Sequence, residues 1–317
     1  EKIHVTIDKD FKTAKYVIEY VVKTDTTGEQ IPLLFYAIDY KNDFQVWVNN
    51  KKTDIKEIPS KYKTPIGTPF EQFSGYFISS FADYSQSDST YFFEDGMKSF
   101  EMKDLKYFET KLQKGNHVIR VEYIANQWID NSNWIKEYSF RYWLAPAKHW
   151  KSFGTLEITI DASSFKAPIT TNLGQPTSGK LDSIAVWRFG KLPNDSFNIA
   201  YIPEFSWLSK LMITIGPLGI TLILSLIIVW VHFLLIKNHR AKNRQKKFSW
   251  IVFIGSLINP FAILLCYILS FDLIDALIGI EAGRHHGYTF FAMLLYPIFL
   301  FIYMLIFRKV DSSYHKL

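Results

Sequence analysis

Cysteine is all but absent from this chain: Cys266 is the only one in 317 residues, and it lies inside an apolar stretch. A lone cysteine rules out an intrachain disulfide framework, so the folded parts must be held by buried apolar surface. A region the size of residues 1–205 is large enough to manage that.

Formal charge is missing from Leu211 to Ile236, 26 residues without Asp, Glu, Lys or Arg. A helix needs roughly 20 such residues to cross the hydrocarbon core of a bilayer. Phe248–Phe271 and Tyr288–Phe307 are two more apolar stretches of spanning length, so membrane helices are expected at about 211–236, 248–271 and 288–307. No formally charged residue lies deep in any of them, which weighs against an ion pump or a proton-coupled transporter.

Catalytic motifs are missing too. The chain has no nucleophile elbow, no phosphate-cradling glycine loop, no His-Glu-x-x-His and no paired cysteines. The N-terminal region holds only His4, His117 and His149, scattered along it. A glycosidase-type carboxylate pair has no fixed spacing and stays open. The expectation is a protein without an enzymatic activity, a cofactor or a metal.

The charge that is present is unevenly placed. Overall, 36 Lys and Arg face 30 Asp and Glu, a formal +6. Residues 1–205 hold 25 cations against 26 anions, whereas 206–317 hold 11 against 4. Six of those eleven sit in the run Lys237–Lys247 between the first two apolar stretches. The basicity is therefore a topology signal, with an attraction to anionic headgroups, and no nucleic-acid partner is expected. Short basic loops stay cytoplasmic, which places the N-terminal region outside and the C-terminus inside. Export of such a region calls for a signal peptide, expected to have been removed.

With no disulfides and one Asn-X-Ser sequon at Asn194, the composition favours a bacterial envelope protein. Helical spans then mean the inner membrane, with the large region in the periplasm.

Alternating segments dominate that region, for example Ile3–Ile7, Lys15–Val22, Phe44–Val48, His117–Tyr123 and Thr155–Ile160. Period-two alternation puts one face on a core and the other in water. Asn49-Asn50 and Lys114-Gly-Asn116 are turn-type connectors. The expected fold class is mainly β, an antiparallel β-sandwich of one or two subdomains over 1–205, followed by a three-helix anchor over 206–317. Residues 59–96 are the least strand-like and form a long aromatic-rich insertion or linker.

Several clusters are candidate sites. The insertion concentrates rings, among them Phe70, Phe73, Tyr76, Phe77, Tyr91 and Phe92, which suit a protein contact surface or a small core of their own. Trp128, Trp134, Trp143 and Trp150 could stack sugars or fill the end of the sandwich. Asp83–Glu94 has oxygen donors at EF-hand spacing, but Asp88 stands where that loop needs glycine, so a chance polar loop is expected. His285 and His286 occupy the outer loop, where a partner contact, a metal and a plain polar interface compete. Just before them, residues 272–280 have the spacing of a short helix lying on the membrane surface. Asn259-Pro260 and Pro297 fall near mid-span, where a freed carbonyl needs a replacement partner.

The expected function is a non-enzymatic interaction subunit of an envelope complex, with other membrane or periplasmic proteins and the lipid bilayer as partners. A glycan-binding or glycan-processing ectodomain is the alternative. No small-molecule ligand is identified.

Overall fold

The structure, a computed structural model, describes residues 1–25, 27, 31–57, 76–79, 90–93, 98–101, 104–144, 153–283 and 286–316. The N-terminal part is built of β-sheets, and three long apolar helices follow at the C-terminal end. The chain divides into two compact units. One is Glu1–Ile129 with Glu137–Ile202, and the other is Asp130–Lys136 with Pro203–Leu317.

In the β unit, strict alternation decides which side chains go in. Lys2–Ile7 buries Ile3, Val5 and Ile7, and Thr13–Thr24 buries Ala14, Tyr16 and Ile18. Leu156–Asp161 buries Leu156, Ile158 and Ile160, and Gly115–Asn126 does the same from His117 to Ala125. These strands belong to an eight-stranded sheet. Its order is Ser178–Gly179, Ile184–Phe189, Leu156–Asp161, Lys2–Ile7, Thr13–Thr24, Gly115–Asn126, Tyr40–Val48 and Lys51–Thr53. Lys2–Ile7 runs parallel to Leu156–Asp161, with Ile3 beside Ile158, and antiparallel to Thr13–Thr24.

A four-stranded sheet contributes Phe140, Tyr142, Phe197 and Ile199 to the same core, and a three-stranded sheet contributes Phe35 and Phe108. The largest fully buried rings are Trp187, Tyr16, Tyr123, Phe11, Phe140 and Phe197. Trp187 Nε1 donates to the Gly174 carbonyl at 3.1 Å and Tyr16 Oη to the Arg141 carbonyl at 3.2 Å, whereas the buried Tyr123 hydroxyl has no hydrogen-bond partner among the described residues. Asn49 and Asn50 both adopt positive φ, 51° and 64°, in the two-residue hairpin between Tyr40–Val48 and Lys51–Thr53. That turn matches the twist of the strands it joins and suits asparagine. Tyr76–Ser79 and Thr90–Phe93 of the insertion form a three-stranded antiparallel sheet with Lys98–Glu101, which follows it. Lys98–Glu101 is thus a strand where an EF-hand loop over Asp83–Glu94 would be followed by its exiting helix.

In the helical unit, α1 spans Trp207–Lys242, α2 Trp250–Ile278 and α3 Tyr296–Lys316. α1, α2 continued to Glu281, and α3 taken with the turn-rich apolar segment before it (Gly287–Tyr314) are each long and apolar enough to cross a membrane. They differ from the sequence expectation in four places. First, α1 is broken inside the expected first span at Gly216, whose φ of 68° and ψ of 170° leave the helix just before Pro217. Second, α1 continues to Lys242, because Lys and Arg are good helix formers and are favoured at a helix C-terminus. Third, the expected surface helix over 272–280 is instead the last two turns of α2, anchored by fully buried Ile274 and stopped by Gly279 at φ 79°. Fourth, Pro297 lies in the first turn of α3, after a 3-10 segment over Gly287–Leu295, where its missing N–H costs no bond.

α1 and α3 meet along a seam with i, i+4 spacing. His232, Ile236 and Arg240 of α1 pack against Tyr303, Phe307 and Asp311 of α3. Elsewhere both helices expose apolar side chains, among them Leu218, Leu222, Leu226 and Trp230 on α1 and Ile298, Phe301 and Leu305 on α3.

Candidate functional site

The polar groups of the helical unit form two connected features. The first runs along the seam. The Asn259 amide of α2 donates to Tyr303 Oη at 2.9 Å, and Tyr303 Oη lies 2.9 Å from His232 Nδ1. The other ring nitrogen, His232 Nε2, lies 3.2 Å from the Ile251 carbonyl. Gly255 makes room for this ring: a Cβ there would come within 2.2 Å of His232 Nε2. Two turns along, Arg240 Nε donates to Asp311 Oδ1 at 2.6 Å, and Arg240 Nη2 donates to Asp311 Oδ2. Arg240 Nη1 also holds the Lys246 carbonyl at 2.5 Å, which ties the return of the connector to the same pair.

The second feature is a strap. Asp130–Lys136 is flanked in sequence by strands, yet it belongs to the helical unit. Ile135 pairs with Ala282 as an antiparallel bridge. The Lys136 N–H donates to the Glu281 carbonyl at 2.9 Å, and the Gly283 N–H donates to the Trp134 carbonyl at 3.1 Å. Lys136 Nζ adds a bond to the Ile280 carbonyl at 2.5 Å. The Trp134 ring packs against Phe271 and His286, with centroids 5.8 Å and 4.6 Å away, those two rings lie 4.6 Å apart, and His286 Nε2 lies 3.6 Å from Asp275 Oδ1. Gly283 has no spare space, since a Cβ would stand 2.5 Å from the Asn133 carbonyl. At the mouth of the strap, hydrogen bonds from the Ser132 hydroxyl and its backbone N–H hold the Asp130 carboxyl below the usual range.

The sequence-derived site residues are distributed as follows. Phe70, Phe73, Trp150 and His285 lie outside the described residues. Tyr76 and Phe77 pair in register with Phe93 and Phe92, and Tyr91 pairs with Ile78, so these residues share one small sheet. Asn259 and Pro260 turn inward: Asn259 is engaged by Tyr303, and Pro260 is buried. His286 is buried beneath the strap. Asn259, Pro260 and His286 thus all have intrachain roles, Asn259 serving the neighbouring helix.

Trp128 is exposed, with the Arg141 guanidinium 4.3 Å from its ring centroid, and Arg141 is held in turn by Asp39 at 3.0 and 2.7 Å. Trp143 is half-buried against Tyr36. Trp134 belongs to the other unit, where the strap uses it.

Sequence reasoning missed the strap, the Gly255 and Gly283 contacts, and Tyr303. A signal existed for the seam. His232, Asn259 and Tyr303 are hydrogen-bonding side chains, one in each of three largely apolar stretches, and such groups seek one another in a bilayer.

No protein-family model matches the chain, and no curated protein matches it. Solved structures match in part. Leukotriene A4 hydrolase from Saccharomyces cerevisiae is 8% identical with a TM-score of 0.35, over 63% of this chain and 28% of its own. A candidate nutrient-binding protein from Legionella pneumophila is 12% identical with a TM-score of 0.36, over 62% of this chain and 64% of its own. An M1 zinc metallopeptidase from Deinococcus radiodurans is 9% identical with a TM-score of 0.30, over 63% and 40%. The chain thus spans less than two thirds of each of these neighbours, and likeness at this level says nothing about its chemistry.

Proposed function

We propose that this chain is a non-enzymatic, membrane-anchored interaction subunit of a bacterial cell-envelope complex. The observation that carries the reading is how the buried polar groups of the helical unit are used. Asn259 serves Tyr303, Tyr303 serves His232, and Arg240 serves Asp311. A bundle whose polar side chains bind its own helices together is a scaffold, and its outer faces are left for lipid or partner helices.

Three further features support the same reading. The length and apolarity of α1, α2 and α3 support three membrane crossings. The Lys237–Lys247 run supports a cytoplasmic connector, hence an exported β unit and an inner-membrane location. The core shared by the eight- and four-stranded sheets supports a β-sandwich in that unit. In this reading the small sheet carrying Phe77, Tyr91 and Phe92 meets an exported partner, and the apolar faces around Leu226 and Trp230 meet membrane subunits.

A photo-crosslinking amino acid placed at Phe77, Tyr91 or Leu226 in cells tests this. Discrete adducts from the exported and the membrane positions are expected. If all three positions yield only the unmodified chain, the reading is lost.

A further inference from the structure

We infer that the end of the helical unit bearing Lys237, Arg308 and Lys309 is a binding surface for the phosphate headgroups of anionic phospholipids. The inference rests on the membrane reading above and adds a specific ligand class to it.

The argument starts with where the negative charge goes. Across residues 237–250 and 307–317 the sequence contains a single carboxylate, Asp311. That carboxylate faces inward, bonded by both arms of the Arg240 guanidinium, with side-chain exposures of 13% and 3%. The pair therefore cancels internally and leaves the outer surface of this end to cations alone. Lys237, Lys242, Lys246, Lys247, Arg308 and Lys309 are all exposed there. Contact between Arg240 and Asp311 brings the C-terminal parts of α1 and α3 together, so cations from both helices stand around one place.

Two of them are specially situated. Lys237 directly follows Ile236, and Arg308 directly follows Phe307, and both of these predecessors are buried in the α1–α3 seam. Lys237 and Arg308 therefore rim the same seam from opposite helices, each one turn from a member of the ion pair. Headgroup phosphates drawn to this end meet Lys237 on the α1 flank of the seam and Arg308 on the α3 flank, and the Arg308 fork suits their oxygens.

Aromatic placement argues for lipid over a free anion or an acidic protein. Phe248 and Trp250, at the start of α2, are exposed and meet edge-on with centroids 5.0 Å apart. Exposed aromatic rings next to cations, at the mouth of an apolar helix, are what the headgroup level of a bilayer selects. Below them the exposed side chains are apolar, Leu235 and Phe253 among them, a surface that acyl chains cover and inorganic phosphate cannot.

The test uses the full chain in nanodiscs of mixed zwitterionic and anionic phospholipid, with native mass spectrometry of the lipids it retains on release. Enrichment of anionic lipid is expected, falling about fivefold for each cation removed in the series K237Q, R308Q and K309Q. The charge-preserving variant K237R/R308K/K309R should retain the enrichment, which separates lost charge from lost folding. Incorporation without any preference, or equal preference in wild type and the triple Gln variant, overturns the inference while leaving the membrane reading standing. Loss of the retained lipid to inorganic phosphate would make the surface a general anion site and overturn the lipid assignment. Failure to incorporate overturns both.

Discussion

Replacing Asp311 by alanine is the sharpest perturbation of the helical unit. Arg240 is only 3% exposed, and its guanidinium divides its bonds between Asp311 and the Lys246 carbonyl. Removing the carboxylate leaves a buried cation with one remaining neutral partner. Stranding one member of a buried pair costs about 3–5 kcal/mol, because desolvation is no longer offset by attraction. The retained Lys246 bond puts D311A at the lower end of that range, about 3 kcal/mol. The apolar double replacement R240M/D311L removes both the charge and its penalty and should lie within about 1 kcal/mol of wild type. Equilibrium unfolding of the chain in mixed detergent, followed by far-UV circular dichroism, measures all three proteins. A D311A cost below that of R240M/D311L would refute the reasoning, since it would mean Arg240 is solvated once its partner is gone.

Other outcomes follow from single contacts. Gly255→Ala places a methyl within 2.2 Å of His232 Nε2 and should weaken the α1–α2 packing by about 1–3 kcal/mol, seen in the same unfolding assay. Tyr303→Phe strands both Asn259 and His232 and should cost about 1–2 kcal/mol in that assay. Gly283→Ala drives a Cβ to 2.5 Å from the backbone carbonyl of Asn133 and should release the strap, read as faster proteolysis within 130–136 and unchanged protection in the β unit. Burial pushes the Glu1 carboxyl from 4.5 up to about 7, despite hydrogen bonds from Tyr142 and Tyr20. Its protonated form is thus favoured by the fold. Stability is full below about pH 4.5 and declines as pH rises through about 7, by at most about 3 kcal/mol and less where water reaches the half-buried group. Denaturant midpoints at acid and neutral pH should show that slope, and E1Q should flatten it.

Much of the fold was legible because its signals are local. Ile3, Val5 and Ile7 alternate within one strand, and Asn49-Asn50 is a turn that two residues specify by themselves. The existence of three apolar helices needed only their length. Helix ends were harder, since Lys237–Lys242 could extend α1 or form a loop, and only packing against α3 decides. The seam was illegible for a different reason. His232 and Tyr303 are 71 residues apart, as are Arg240 and Asp311, and no periodicity links such pairs. The strap was the least legible. Trp134-Ile135-Lys136 reads like any aromatic strand edge, and its destination depends on the carbonyls of Ile280 and Glu281, far along the chain.

The central claim, a scaffold that holds partners, is tested most directly by recovering the tagged chain from its native membranes in mild detergent and counting co-purifying proteins by quantitative mass spectrometry. One or more membrane or exported proteins in near-equimolar amount are expected. A monodisperse preparation of this chain alone would contradict the account.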